Sequence, residues 1–134
     1  MTAHHILSPS DQQPIDWISL ARRGVSKKVL QQVQDHMALS QKELTDLLHL
    51  TPRTVQRMND EQLLSPVTSG HLLELARLHR RAVDVLGSVA LANQWLRTKI
   101  PALSNAEPLA MLDTPAGIQW VFSILGRIEH GVYS

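Results

Sequence analysis

The chain has 134 residues, 43% of them hydrophobic and only 4% aromatic. That is material for one ordinary domain or two very small ones, with Leu, Val, Ile and Ala filling the core, a supply that favours helices over strands. With no cysteine, disulfides and thiolate metal sites are excluded, and with a formal net charge of +1 any nucleic-acid surface has to be local.

Residues 1–14 are polar and mixed, with Pro9 and Pro14 beside Ser8 and Ser10. They lack the basic segment and apolar run of a signal peptide and read as a mobile arm. No apolar run approaches the ~18 residues of a membrane span, so no membrane partner and a cytoplasmic location are expected. Pro14 to Arg23 holds a short helical turn anchored by Trp17 and Leu20, and Gly24 ends it. Ser26 then serves as an N-cap, and Val29, Leu30 and Val33 form an apolar stripe at helical spacing. This helix stops near His36 to Leu39.

Ser40 with Glu43 three residues on is a capping-box pattern. Leu44, Leu47 and Leu48 follow on one face, Leu50 marks a turn, and Thr51 caps again with Pro52 at the first helical position. Counting Gln41 as the first of twenty positions, apolar residues are wanted at the fourth, eighth, tenth, fifteenth and eighteenth. The chain supplies Leu44, Leu48, Leu50, Val55 and Met58. Those five lock two helices at a steep angle, so the second can enter a major groove. Its outer side carries Arg53, Thr54, Gln56 and Arg57; Arg forks onto guanine and Gln pairs with adenine. Gln41 and Thr51 stand at helix starts suited to phosphate, and Lys42 adds a possible phosphate contact. The unit, about Ser40 to Asn59, resembles the helix-turn-helix of the Xre and phage-repressor type. The ninth position, often Gly because the turn needs a left-handed residue, is His49 here, and histidine tolerates that backbone better than a branched residue. The alternative for the same pattern is a helical hairpin with a solvated basic face.

Ser65-Pro66 punctuates the chain and places a boundary there, with a DNA-binding region over 15–66 and a second domain over 67–134. Ser69 is expected to cap a helix from about Gly70 to Leu86, with Leu72, Leu75, Ala76, His79, Val83 and Leu86 inward and Gly87 as the stop. Ser88 caps a short helix through Ala92, Trp95 and Leu96. Pro101 breaks the chain, Pro108 opens another short helix, and Thr114-Pro115 opens the last, which runs to about Glu129 before Gly131. That last helix is apolar almost all round, through Ile118, Trp120, Val121, Phe122, Ile124, Leu125 and Ile128. Such a helix is buried on more than one side. It is either central in a monomer or set against a second subunit, and the few residues available to cover it favour the second. Trp95, Leu96, Trp120, Val121, Ile124, Leu125 and Ile128 are the core and dimer candidates.

Two stretches are more particular: LHRRAVDVLGSVALANQWL from Leu78, and EPLAMLDTPAGIQWVFSILGRIEHGVYS from Glu107. They carry Gly87, Ala90, Ala92, Trp95-Leu96, Pro108-Leu109, Met111-Leu112, Thr114, Gly117, Val121, Leu125, Arg127-Ile128 and His130-Gly131. Together they resemble the C-terminal domain of the Xre/MbcA/ParS antitoxin family over about Leu72 to Ser134. Pro101-Ala102-Leu103-Ser104-Asn105 departs from the family's usual pattern. The resemblance implies an antitoxin of a type II toxin–antitoxin pair, whose typical partner is a RES-domain toxin that consumes NAD. It further implies dimerisation through the C-terminal domain, direct inhibition of the toxin and repression of the antitoxin's own operon. The expected fold is therefore all-α, an N-terminal helix-turn-helix followed by a small helical dimerisation and toxin-binding domain. A stand-alone regulator with no toxin partner is the alternative.

Beside that resemblance, the chain ends three residues after a helix stop. Val132, Tyr133 and Ser134 form a short tip, and Tyr offers apolar area with a polar end. Arg127, Glu129, His130 and this tip are the candidate toxin contacts; a frayed tail without a role is the alternative. The seven histidines, including His4-His5 and His71 near Glu74, show no metal-ligand spacing, and no metal or cofactor is expected. His79 on an apolar face reads as structural. Arg77, Arg80 and Arg81 read as a solvated face, with contact to DNA backbone or acidic toxin groups as the competing role. No nucleophile with a nearby base, phosphate loop or paired carboxylates supports an enzyme.

Overall fold

In a computed structural model that describes residues 14–131, the chain forms seven α-helices and, among those residues, no strand. The expected arm before Pro14, the His4-His5 pair and the expected tip at Val132, Tyr133 and Ser134 lie outside the described residues. The helices are α1 (Pro14–Arg23), α2 (Lys27–His36), α3 (Gln41–Leu47), α4 (Pro52–Gln56), α5 (Pro66–Leu86), α6 (Val89–Leu96) and α7 (Pro115–Glu129). Two short 3₁₀ helices, Pro101–Leu103 and Pro108–Met111, connect α6 to α7. The all-α class follows from local chemistry: hydroxyl side chains at Ser26, Ser40, Thr51, Ser88 and Thr114 each accept an orphan amide of the helix they open.

Two helices begin or extend differently from the sequence expectation. The segment from Pro14 is a full ten-residue helix rather than a short turn. The long helix starts at Pro66, not near Gly70, because Ser65 and not Ser69 supplies its cap, accepting the Thr68 amide at 3.2 Å. Ser69 is fully buried and serves a tertiary purpose instead. Its hydroxyl accepts from the Val25 amide at 2.9 Å and donates to the Leu64 carbonyl at 3.3 Å.

The chain divides into two compact units, one ending at Arg77 and the other starting at Leu78, so the division falls inside α5. The sequence expectation put it near Ser65-Pro66, which in the structure is a helix start. In the first unit, Leu30, Val33, Leu44, Val55, Leu72 and Leu75 are at most 1% exposed and form the centre of the core. The chain entering α2 pairs with the chain leaving α4: Leu64 donates to the Val25 carbonyl at 2.8 Å and Lys27 to the Gln62 carbonyl at 3.0 Å. Gly24 permits this approach, with φ +89° and the Leu64 carbonyl oxygen only 2.5 Å from where a Cβ would stand.

In the second unit, Leu78, Ala82, Ala92, Leu112, Val121 and Leu125 are wholly buried. His79 is buried as well, with Nε2 at 2.7 Å from the Asn93 side-chain oxygen, a polar pair that joins α5 to α6. The Gly117 amide donates to the Thr114 hydroxyl at 3.0 Å, and a Cβ on Gly117 would overlap the Met111 carbonyl oxygen. Glycine is therefore required where α7 crosses the second 3₁₀ helix. Ser104 and Asn105 are both left-handed, at φ 57° and 64°, in the loop where the sequence departs from the family pattern.

Candidate functional site

The first site is built on α3 and α4, which pack together. Ser40 and Glu43 form the expected capping box, with the Glu43 amide 3.0 Å from the Ser40 hydroxyl and the Ser40 amide 2.9 Å from the Glu43 carboxylate. Leu44, Leu48 and Val55 are buried, while Leu50 and Met58 are half-buried. His49 in the turn has φ 61°, the left-handed backbone wanted at that position. Thr51 accepts the Thr54 amide at 3.2 Å, with its oxygen 2.9 Å from the Thr54 hydroxyl.

The second helix of the motif ends at Gln56, so it is only five residues long. A helix that short has no stability of its own and is held by its surroundings. Val55 anchors it from beneath, and the buried Lys27 donates to the Met58 carbonyl just past its end at 2.8 Å. A cation there suits the negative end of the helix and holds the carbonyl of the turn that follows it. Lys27 escaped sequence reasoning because it acts across 31 positions and looks like any exposed lysine at a helix start.

Arg53, Thr54 and Gln56 are exposed on α4, and Arg57 is exposed at its C-cap. Among the described residues neither arginine takes part in an ion pair, so both guanidiniums are available to an external anion or base edge. Gln56 donates to the Gln41 side chain at 3.1 Å, which brings the start of α3 to the same face. Lys42 is engaged elsewhere, 2.9 Å from Asp46 on its own helix; that hydrogen bond, with the attraction behind it, raises the lysine pKa. An open groove of ≈ 450 Å³ runs beside α4, with Thr51, Arg53, Thr54 and Arg57 in its wall.

The second candidate site is the end of α7. Val121 and Leu125 are fully buried, Leu96 and Ile124 nearly so, and Trp95 and Ile128 are half-buried. Trp120 is 43% exposed, an unusual position for so large an apolar side chain. Arg127, Glu129 and His130 are exposed in the last turn. Glu129 is held by Arg81, whose two terminal nitrogens reach its two oxygens at 2.8 and 2.6 Å. This fork keeps the Glu129 carboxyl below its ordinary range and Arg81 firmly charged. Arg77 likewise forks onto Glu74 at 3.3 and 3.1 Å, and Arg80 stands 3.9 Å from Asp84. Each member of the basic cluster thus has an acidic neighbour. Among the described residues no group of three or more His, Asp or Glu side chains is arranged to hold a metal ion, and no helix is long and apolar enough to cross a membrane.

Residues 16–77 match the family model of the antitoxin Xre-like helix-turn-helix domain, and residues 81–131 match that of the antitoxin Xre/MbcA/ParS C-terminal toxin-binding domain. The chain is 28% identical over 131 residues to the Prs ADP-ribosylating antitoxin of Sphingobium sp. (strain YBL2), covering 90% of this chain and 82% of that protein. It is 26% identical over 115 residues to the antitoxin Xre of Yersinia enterocolitica serotype O:8 / biotype 1B, covering 84% of this chain and 78% of that one. A chain in the crystal structure of the M. tuberculosis MbcT-MbcA toxin-antitoxin complex shares the fold, with a TM-score of 0.61 and 21% identity, covering 81% of this chain and 96% of that chain.

Proposed function

The chain belongs to the Xre/MbcA/ParS antitoxin family, an antitoxin of a toxin–antitoxin system with a helix-turn-helix domain, and from that premise we propose that it inhibits a RES-domain, NAD-consuming toxin and represses its own operon. The carrying observation is the pairing of two features in one chain. Arg53 and Arg57 are exposed on a helix fixed over an apolar lock and lie outside any ion pair among the described residues, and the other half matches a toxin-binding domain.

In the DNA-binding role, α4 enters the major groove. Arg53 and Arg57 fork onto guanine edges, and Gln56, oriented by Gln41, reads a neighbouring base. Thr51 and Thr54 face the backbone phosphates; Lys42 joins them only by leaving Asp46. In the toxin-binding role, Arg127, His130 and residues 132–134 meet the toxin at the end of α7. A homodimer forms through the exposed Trp120 surface, so that two reading helices meet two half-sites.

The test is co-expression with the product of the neighbouring gene. Copurification, loss of that protein's NAD consumption and protection of DNA upstream of the operon are expected. A neighbouring product that neither binds nor consumes NAD overturns the toxin assignment, and an unprotected upstream region overturns the repressor assignment.

A further inference from the structure

We infer that Arg81 is a positioning residue for the toxin-facing end of α7: by gripping Glu129 it fixes the last helical turn, from which Arg127 and His130 reach the toxin. The inference rests on the toxin-binding reading above and adds to it a role for a residue outside the contact surface.

Helix ends fray because their last four carbonyls have no partner within the helix. In α7 the buried anchors Val121, Ile124 and Leu125 lie before the final turn, where Ile128 is only half-buried and Arg127 and Glu129 are exposed. Apolar contact therefore holds this turn less well than the rest of the helix. Its terminal residue, Glu129, also carries the wrong sign: a negative charge at a helix C-terminus opposes the helix dipole. The Arg81 guanidinium cancels that charge and, through two parallel hydrogen bonds of 2.8 and 2.6 Å, binds the end of α7 to α5 across 48 positions of sequence. Arg81 itself lies more than a turn inside the end of a 21-residue helix, beside the wholly buried Ala82, so the grip is anchored in an ordered element.

Two consequences follow. Each Glu129 oxygen already accepts from Arg81, so in this inference Glu129 acts through Arg81 and direct contact falls to its neighbours. The final turn is also ordered before the toxin arrives, which removes part of the ordering entropy that binding would otherwise have to offset.

The experiment uses the full chain with Arg81→Gln, Glu129→Gln and the exchanged pair Arg81→Glu with Glu129→Arg. Amide exchange is followed at residues 127–131 in the chain alone. Affinity is then measured for the product of the neighbouring gene. Each single variant is expected to lose protection in that turn and to bind roughly two- to fivefold more weakly, on the scale of one exposed ion pair. The exchanged pair is expected to restore both, with a thermal midpoint near that of the unaltered chain, and binding to upstream DNA should stay unchanged in all three variants. Unchanged protection in the single variants overturns the inference, as does weakened binding that the exchanged pair fails to rescue, which would make Glu129 a direct contact. Failure of the unaltered chain to bind the neighbouring product is a different result: it removes the toxin-binding reading before any variant is compared, and the positioning role falls with it.

Discussion

The Ser69 hydroxyl accepts the Val25 amide at 2.9 Å across 44 positions, and through that bond α5 secures the backbone just ahead of α2. The same hydroxyl donates its proton to the Leu64 carbonyl, and the Leu64 amide returns to the Val25 carbonyl at 2.8 Å. Ser69 is fully buried, so water cannot replace it. Ser69→Ala leaves a buried amide unsatisfied and is expected to cost about 1–3 kcal/mol of stability. Urea unfolding followed by circular dichroism measures it, and an unchanged midpoint would mean that the Val25 amide finds another acceptor.

Arg53→Ala and Arg57→Ala are each expected to lose about 1–3 kcal/mol of affinity for upstream DNA if the arginine reads a base. Both side chains are exposed, so stability should stay within roughly 0.5 kcal/mol of the unaltered chain. Fluorescence anisotropy with labelled DNA at fixed salt is the measurement. Unchanged binding for both removes them from the recognition surface.

Removing residues 131–134 should leave helix content and DNA binding intact and abolish neutralisation of the toxin. The last turn of α7 keeps its anchors without these residues, since its grip comes from Arg81 and Glu129. A growth assay with the co-expressed toxin reads the outcome, and normal growth on truncation discards the tip from the mechanism.

Trp120→Lys should convert a dimer to a monomer while preserving the fold. Its ring is 43% exposed, whereas the adjacent Val121 is wholly buried and carries the packing of α7. Light scattering coupled to gel filtration gives the mass. A monomeric unaltered chain, or a variant that remains dimeric, places the subunit contact elsewhere.

The fork on Glu129 also makes a pH prediction. Its carboxyl is held below the ordinary value of 4.5, first by the hydrogen bonds from Arg81 and then by the attraction of that charge. A lowered folded value means the contribution is complete above the unfolded pKa and is lost as pH falls through the folded one. The difference in thermal midpoint between the unaltered chain and Glu129→Gln should therefore be level from neutral pH down to the ordinary carboxylate range and shrink as pH falls through the lowered folded value. A difference that persists in acid would show that the carboxylate charge is not what holds the turn.

Much of the helical framework is legible in sequence because its signals are local. The caps at Ser26, Ser40, Thr51, Ser88 and Thr114 lie next to the amides they serve, and the apolar spacing from Leu44 to Met58 announces two locked helices. The same locality picks out Arg53 and Arg57 as exposed residues of the motif's second half. What misled was a residue type with two uses. Ser65 and Ser69 are equally good caps on paper, and only the closeness of Val25 and Leu64 draws Ser69 inward and lets the helix begin at Pro66. Lys27 under Met58 and Arg81 on Glu129 were invisible for a related reason: their partners lie 31 and 48 positions away. Helix propensity, capping and periodicity act over a few residues and are written in the order of the chain. A charge or hydroxyl finds a distant partner only once burial of the apolar faces has brought the helices together, and that choice belongs to the tertiary structure.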